Sequence, residues 1–306
     1  MKYKLYVLGI LCFLYSNIKA QNNLITLENE SSSEGLVMLY ANSHASCLYT
    51  LKIILNTSGF VNNYSNPYFT TVNQGRSQVC KFIPDNNSGI RTFKYSYTFY
   101  AGKNFRNPPT VYNHYLLPIS IGKTTLITSV SNLKNFLVKK GESYNYAKGF
   151  TYDLGDTIFA TRAGIVYNIN DEIKQVETSA TIYTSNRNII YIQHKDGTVG
   201  HYTMLSPIQS LVKNGENVIP GQPLAIFNTH AEKYTMLFSI YYLDENKIKL
   251  ENNNDAYTPL PIYFYLNTNT PSTNLVESQK YDAVKAIDII TEELSKRDIK
   301  KLGFDN

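Results

Sequence analysis

The run Val-Lys-Asn-Gly-Glu-Asn-Val-Ile-Pro-Gly-Gln-Pro-Leu at 212–224 most constrains what this chain can fold into. Its glycines, 215 and 221, stand where the chain must reverse tightly, and glycine adopts the required positive φ at little steric cost. Only short strands fit beside such reversals, so the run reads as two strands of a hairpin. Gly141, Gly164 and Gly197 punctuate the flanking apolar runs in the same way. A hairpin-rich β region is therefore expected from about 111 to 266. Its strands are predicted at 157–166, 188–193, 199–205, 222–227 and 235–242.

The preceding residues repeat the pattern with different spacing. Strand-like runs at 35–41, 47–55, 78–83 and 92–100 alternate with polar turns at 56–59, 62–66, 73–76 and 85–89. Regularly spaced short strands predict an immunoglobulin-like β-sandwich over 22–110. Residues 103–109 read as a polar, proline-bearing linker. The 26 tyrosines, against no tryptophan, agree with a mainly β protein. Residues 278–302 are predicted helical, with Val284, Ile287, Ile290 and Leu294 on one face. Glu292–Lys296 and Glu293–Arg297 are favourable i,i+4 pairs there. Ser295 and Asp298 are suited to cap a second short helix ending at Gly303. The expected organisation is thus a leader over 1–20, a sandwich over 22–110, a second β domain over 111–270 and a helical tail over 271–306.

Residues 1–20 carry the pattern of a secretory signal peptide: Lys2 and Lys4, an apolar stretch over 5–15, and Ala20 before Gln21. That stretch is too short to span a bilayer as a helix, so export to the periplasm, envelope or medium is expected, with no membrane-spanning segment after cleavage. Without Lys2, Lys4 and Lys19 the formal charge falls from +5 to +2. No basic stripe suggests nucleic acid as a partner. Cys47 and Cys80 remain after cleavage; they can pair as a disulfide in an oxidising compartment or stay as two buried thiols.

The chemistry-bearing runs are Gly-Asp-Thr-Ile-Phe-Ala-Thr-Arg-Ala-Gly-Ile-Val at 155–166, the segment 190–205 with His-Lys-Asp-Gly and Tyr-Thr-Met-Leu, and the glycine run at 212–227. Their order and spacing resemble the lysostaphin/LytM-type zinc endopeptidases, which cleave peptide cross-links in bacterial cell walls. The resemblance covers about 115–242 and implies a duplicated-hybrid-motif β fold preceded by a sandwich. It also implies a zinc held by a histidine, an aspartate and the second histidine of a His-x-His strand, with further histidines assisting. Asp153 in Thr-Tyr-Asp-Leu matches the aspartate. The first histidine would fall at 144–148, where there is none. Met204 stands in the Tyr-x-His-Leu strand, and Thr235 and Leu237 replace the His-x-His pair. The second Tyr-Thr-Met-Leu, at 234–237, thus lies where the family has its ligand strand.

A lone carboxylate cannot make a tetrahedral zinc site, leucine has no donor atom, and a thioether is a poor zinc ligand. The resemblance so read implies a degenerate member with no metal, no cofactor and no catalytic residue. Its expected partners are peptidoglycan peptides or another envelope protein. Two alternatives stay open. One is an active zinc enzyme with a shifted ligand set centred on Asp153 and His230; the other is a purely structural envelope protein. His44 reads as a surface residue and His194 as a structural one, His114 lies upstream of the first matched run, and alternation turns His201 away from Met204. Lipoyl- and biotinyl-carrier domains use similar hairpins but need a lysine at the tip, and Lys213 precedes the turn.

Overall fold

The computed structural model describes residues 24–61, 64–128, 146–171, 187–204, 206–228, 234–250 and 256–304. Predictions for the signal peptide, Gly141 and His230 fall outside them. The chain is mainly antiparallel β. Its first half contains β1 (Ile25–Ser31), β2 (Val37–Ser43), β3 (Tyr49–Ser58), β4 (Phe60–Val61), β5 (Tyr68–Val72), β6 (Gly75–Pro84), β7 (Thr92–Ala101) and β8 (Asn104–Phe105). Two sheets, ordered β1-β2-β6-β4 and β5-β3-β7, face each other as a sandwich. Strand β2 shows why: its residues alternate between buried and half-buried, so one face can enter a shared core. Leu39, Leu51, Ile53 and Phe82 are fully enclosed there. Cys47 and Cys80 lie in the same core as separate thiols, each pushed up to about 12 by burial. Such thiols are poor nucleophiles.

The second half contains β9 (Thr124–Thr128), β10 (Ala147–Tyr152), β11 (Thr157–Phe159), β12 (Gly164–Asn170), β13 (Asn188–Gln193) and β14 (Val199–Met204). It continues with β15 (Ile208–Ser210), β16 (Asn217–Val218), β17 (Pro223–Phe227), β18 (Tyr234–Asp244), β19 (Tyr257–Leu260) and β20 (Lys280–Asp282). The main sheet runs β16-β12-β13-β14-β18-β10-β9-β20, with β19 and β8 also paired to β18. A small sheet, β11-β17-β15, stands beside it. One core joins them, built on Tyr115, Phe150, Tyr202, Met204, Phe227, Phe238 and Phe264. Phe238 meets Tyr115 at 5.6 Å and Tyr202 at 4.9 Å between ring centres. Fully burying a ring of this size contributes about 1.5–3 kcal/mol.

Three expectations are corrected. The strand predicted at 157–166 is two strands in different sheets. Between them the chain turns at Thr161–Gly164, where buried Arg162 finds acidic partners, and a Cβ at Gly164 would stand 2.5 Å from the carbonyl oxygen of Gln193. The linker predicted at 103–109 is partly strand: Asn104 and Phe105 pair in parallel with Leu243 and Asp244. Asn104 Nδ2 and Arg106 Nε donate to buried Glu245 at 2.6 and 3.0 Å, anchoring the segment. The helix predicted over 278–302 is a strand and two short helices. Lys280–Asp282 extends the sheet beside β9, and helices follow at Ile287–Thr291 and Lys296–Lys301. Glu292 accepts a hydrogen bond from Tyr112, and Glu293 pairs with buried Arg162, an ion pair that outweighs an exposed i,i+4 pair of about 0.2–0.5 kcal/mol. The cap is as expected: Ser295 Oγ accepts from the Asp298 amide at 3.2 Å, and Gly303 has φ +70°.

The sandwich is welded to the main sheet. Gln193 exchanges two hydrogen bonds of 2.8 Å with the backbone of Leu48, and Lys52 Nζ donates to the Ile248 carbonyl at 2.6 Å. At Gly197, φ is +90° and a Cβ would meet Lys103 Cβ at 2.6 Å. Gly197→Ala is therefore expected to destabilise the fold by more than about 1 kcal/mol, read as a lower midpoint in thermal unfolding; an unchanged midpoint would contradict this packing.

Candidate functional site

The register of the main sheet decides which of the sequence-predicted residues meet. In β14 and β18, Met204 pairs with Met236, Thr203 with Leu237, Tyr202 with Phe238 and His201 with Ser239. In β10 and β18, Gly149 pairs with Leu237 and Thr151 with Thr235. Side chains alternate along each strand. Met204, Met236, Tyr202 and Phe238 therefore point into the main core, as their enclosure confirms. Thr235 and Leu237 face the other way, with Gly149, Thr151, His201, Thr203 and Ser239. This second side is called the outer face below.

Of the four family-matched positions, two share a face and one is turned into the core. Thr235 and Leu237 share the outer face. Met204 is fully buried on the core side, so it fills the core and not a former ligand position on that face. Asp153 lies beyond the end of β10, exposed in a turn where its amide donates to Asp156 Oδ2 at 2.9 Å and its carbonyl accepts from the Asp156 amide at 3.1 Å. The residue directly across from Leu237 is Gly149, four positions earlier. Thr128 Oγ1 occupies the space beside it, 2.3 Å from where a Gly149 Cβ would be, and Leu237 Cδ2 is 3.4 Å from that point.

The donor chemistry of this face does not fit zinc. Around Leu237 stand glycine, threonine and serine, where a zinc ion would need imidazole, thiolate or carboxylate ligands. Among the described residues, no three of His, Cys, Asp and Glu come together as a metal-holding group. His201 is on the outer face but lies between the rings of Tyr191 and Tyr241, at 4.7 and 4.5 Å. Burial holds its imidazole well below the usual histidine range.

Sequence reasoning missed a buried polar cluster around Arg162. Arg162 is 3 % exposed and bonds to Asp196 at 2.8 Å and to Glu293 at 2.8 and 2.6 Å, with its guanidinium 3.9 Å over the Tyr112 ring. These bonds raise its pKa against the opposing effect of burial. Tyr112 and His114 both reach Glu292, at 2.9 and 3.3 Å. His194 Nδ1 donates to the Ala163 carbonyl at 2.8 Å, which leaves Nε2 buried without a partner near Gly200. Burial first, then the charge of Arg162, pushes this imidazole down to about 3. A cavity of about 780 Å³ lies nearby, between the sandwich, the β12–β13 hairpin and the last helix; Cys47, Gln193, Lys195 and Lys301 are among its lining. It does not include the family-matched positions.

Comparison with known proteins gives this result. No protein-family model matches the chain, and no curated protein matches it. Among solved structures, it is similar to a putative peptidase M23 from Pseudomonas aeruginosa, at 13% identity and a TM-score of 0.28 over 68% of this chain and 88% of that one. It is also similar to a zinc containing peptidase from Vibrio cholerae, at 15% identity and a TM-score of 0.29 over 70% of this chain and 82% of that one. Likenesses this distant do not establish an activity.

Proposed function

We propose that this chain is a non-catalytic relative of the cell-wall zinc endopeptidases that acts in the bacterial envelope by binding peptidoglycan peptides. The observation that carries this reading is the chemistry of the outer face. Where the sequence resemblance would place a ligand strand and its neighbours, the chain has Thr235, Leu237, Gly149 and Thr203. Hydroxyl, glycine and apolar groups cannot activate a water molecule by metal coordination. The expected leader supports an exported location. Among the described residues no helix is long and apolar enough to cross a membrane.

Two assays on the purified protein test the proposal. Intact peptidoglycan sacculi should retain it on sedimentation, and incubation should release no soluble wall fragments. Release of fragments would refute the non-catalytic reading. Failure to sediment, combined with retention of an envelope protein, would replace wall binding with the structural alternative.

A further inference from the structure

We propose that the cavity between the sandwich, the β12–β13 hairpin and the last helix binds a short acidic peptide, with Lys195 and Lys301 taking its carboxylates. This inference deepens the wall-binding reading, on which it rests for the source of the peptide, and it places the binding site away from the outer face.

Three walls make the cavity, and each is pinned to the next. Leu48 and Asn73 come from the sandwich, Ile165 and Lys195 from the hairpin and the turn after it, and Leu294 and Lys301 from the tail. Gln193 holds the backbone of Leu48 through its two 2.8 Å bonds, which fixes the sandwich wall to the hairpin. Arg162 holds Glu293 at 2.6 Å, which fixes the tail to the turn before β12. A cleft kept in shape by bonds made elsewhere needs little ordering when a ligand enters. Its volume of about 780 Å³ lies within the range of about 300–1,000 Å³ typical of ligand sites, which form preferentially between domains.

The titratable groups of the lining decide the sign of the ligand. Cys47 keeps its proton because burial pushes its thiol up to about 12, and His194 stays neutral because burial and Arg162 push it down to about 3. Both lining carboxylates are engaged, Glu293 by Arg162 and Asp298 by Ser295 Oγ at 2.6 Å. Lys195 and Lys301 are exposed and have no hydrogen-bond or ion-pair partner among the described residues. Two ammonium groups from separate walls are thus left for anions, and a carboxylate held between protein walls gains more than one at an open surface. The neutral groups favour a peptide. Ser46, Asn73 and Asn217 present a hydroxyl and two carboxamides that bond to no described residue. A carboxamide both donates and accepts, as a peptide backbone requires. Ile165, Ile219, Leu294 and Leu302 add apolar surface beside them. No tyrosine or phenylalanine lines the cavity, although the chain has 26 tyrosines, so it lacks the platform on which a nucleobase stacks.

The test titrates the purified full chain with N-acetyl-triglutamyl amide and with its triglutaminyl counterpart, by calorimetry at low salt. The acidic peptide is expected to bind at least about tenfold more tightly, the scale of two partly enclosed ion pairs. Lys195→Gln and Lys301→Gln should each weaken it about threefold, and the double variant should bring it down to the level of the neutral peptide. Lys280→Gln removes an exposed charge outside the cavity and should leave binding unchanged. All three lysines are exposed, so none of these changes disturbs a core. Equal binding of the two peptides, or binding of neither, would overturn the proposal. So would an equal loss with Lys280→Gln, which would reduce the effect to net charge. Competition by glutarate as strong as by the peptide would overturn the peptide assignment. If the acidic peptide does not bind while sacculi still retain the protein, this inference fails and the wall-binding reading stands. If the peptide binds through both lysines but sacculi do not retain the protein, the wall-binding reading fails and the cavity remains a site for acidic peptides.

Discussion

Arg162→Ala is expected to lower the unfolding free energy by about 3 kcal/mol, toward the lower end of what breaking a buried ion pair costs because Asp196 keeps some exposure. The change strands Asp196 and Glu293, which meet the guanidinium at 2.8 and 2.6 Å, and removes the cation from above the Tyr112 ring. It also releases the last segment of the chain, since Glu293 joins the Arg162 turn to the C-terminal helices. Urea unfolding measures the effect. A companion Glu293→Gln in the Arg162→Ala background should recover part of the loss, because it removes one stranded charge. A loss below about 1 kcal/mol would mean that the cluster behaves like an exposed pair such as Arg76–Glu30.

The second large effect is on acid stability. His194 is buried, and burial and the charge of Arg162 hold its folded pKa at about 3, below the ordinary histidine value of 6.5. A histidine depressed in this way stays neutral in the native protein while the unfolded chain takes up its proton. Its contribution is therefore present above pH 6.5 and is lost as the pH falls toward 3. Within that window one such group steepens the decline by up to about 1.4 kcal/mol per pH unit. Between pH 6.5 and 5 most carboxylates remain ionised in both states, so histidines dominate the slope. His201, also lowered by burial, adds to it. Stability measured at pH 7.5, 6.0 and 5.0 should fall steadily, and His194→Gln should flatten the decline. A profile that is level down to pH 5 would contradict a buried, neutral His194.

The strands were legible in the sequence because alternation and glycine reversals are local signals. The 188–193 strand matches β13 residue for residue, and the Ser295 cap lies where the sequence places it. The break at Thr161–Gly164 was not legible, since an apolar-looking run gave no sign that Arg162 would turn inward to partners 34 and 131 residues away. The C-terminal helix failed for the same reason: its local i,i+4 pairs lost to Arg162 and Tyr112. For the outer face, motif spacing found Thr235 and Leu237 but placed Asp153 and Met204 beside them. Cross-strand register puts Gly149 opposite Leu237 and turns Met204 into the core. A period-two reading anchored on Leu237 could have found Ser239, whereas Thr203 needs the cross-strand register.

The central claim is that the outer face has exchanged metal donors for hydroxyl and apolar groups. Metal content tests it most directly. Protein purified without chelator and dialysed against micromolar zinc should retain far less than one zinc per chain by elemental analysis. One tightly held zinc per chain, lost on Asp153→Ala or His230→Ala, would contradict the account and restore a peptidase with a shifted ligand set.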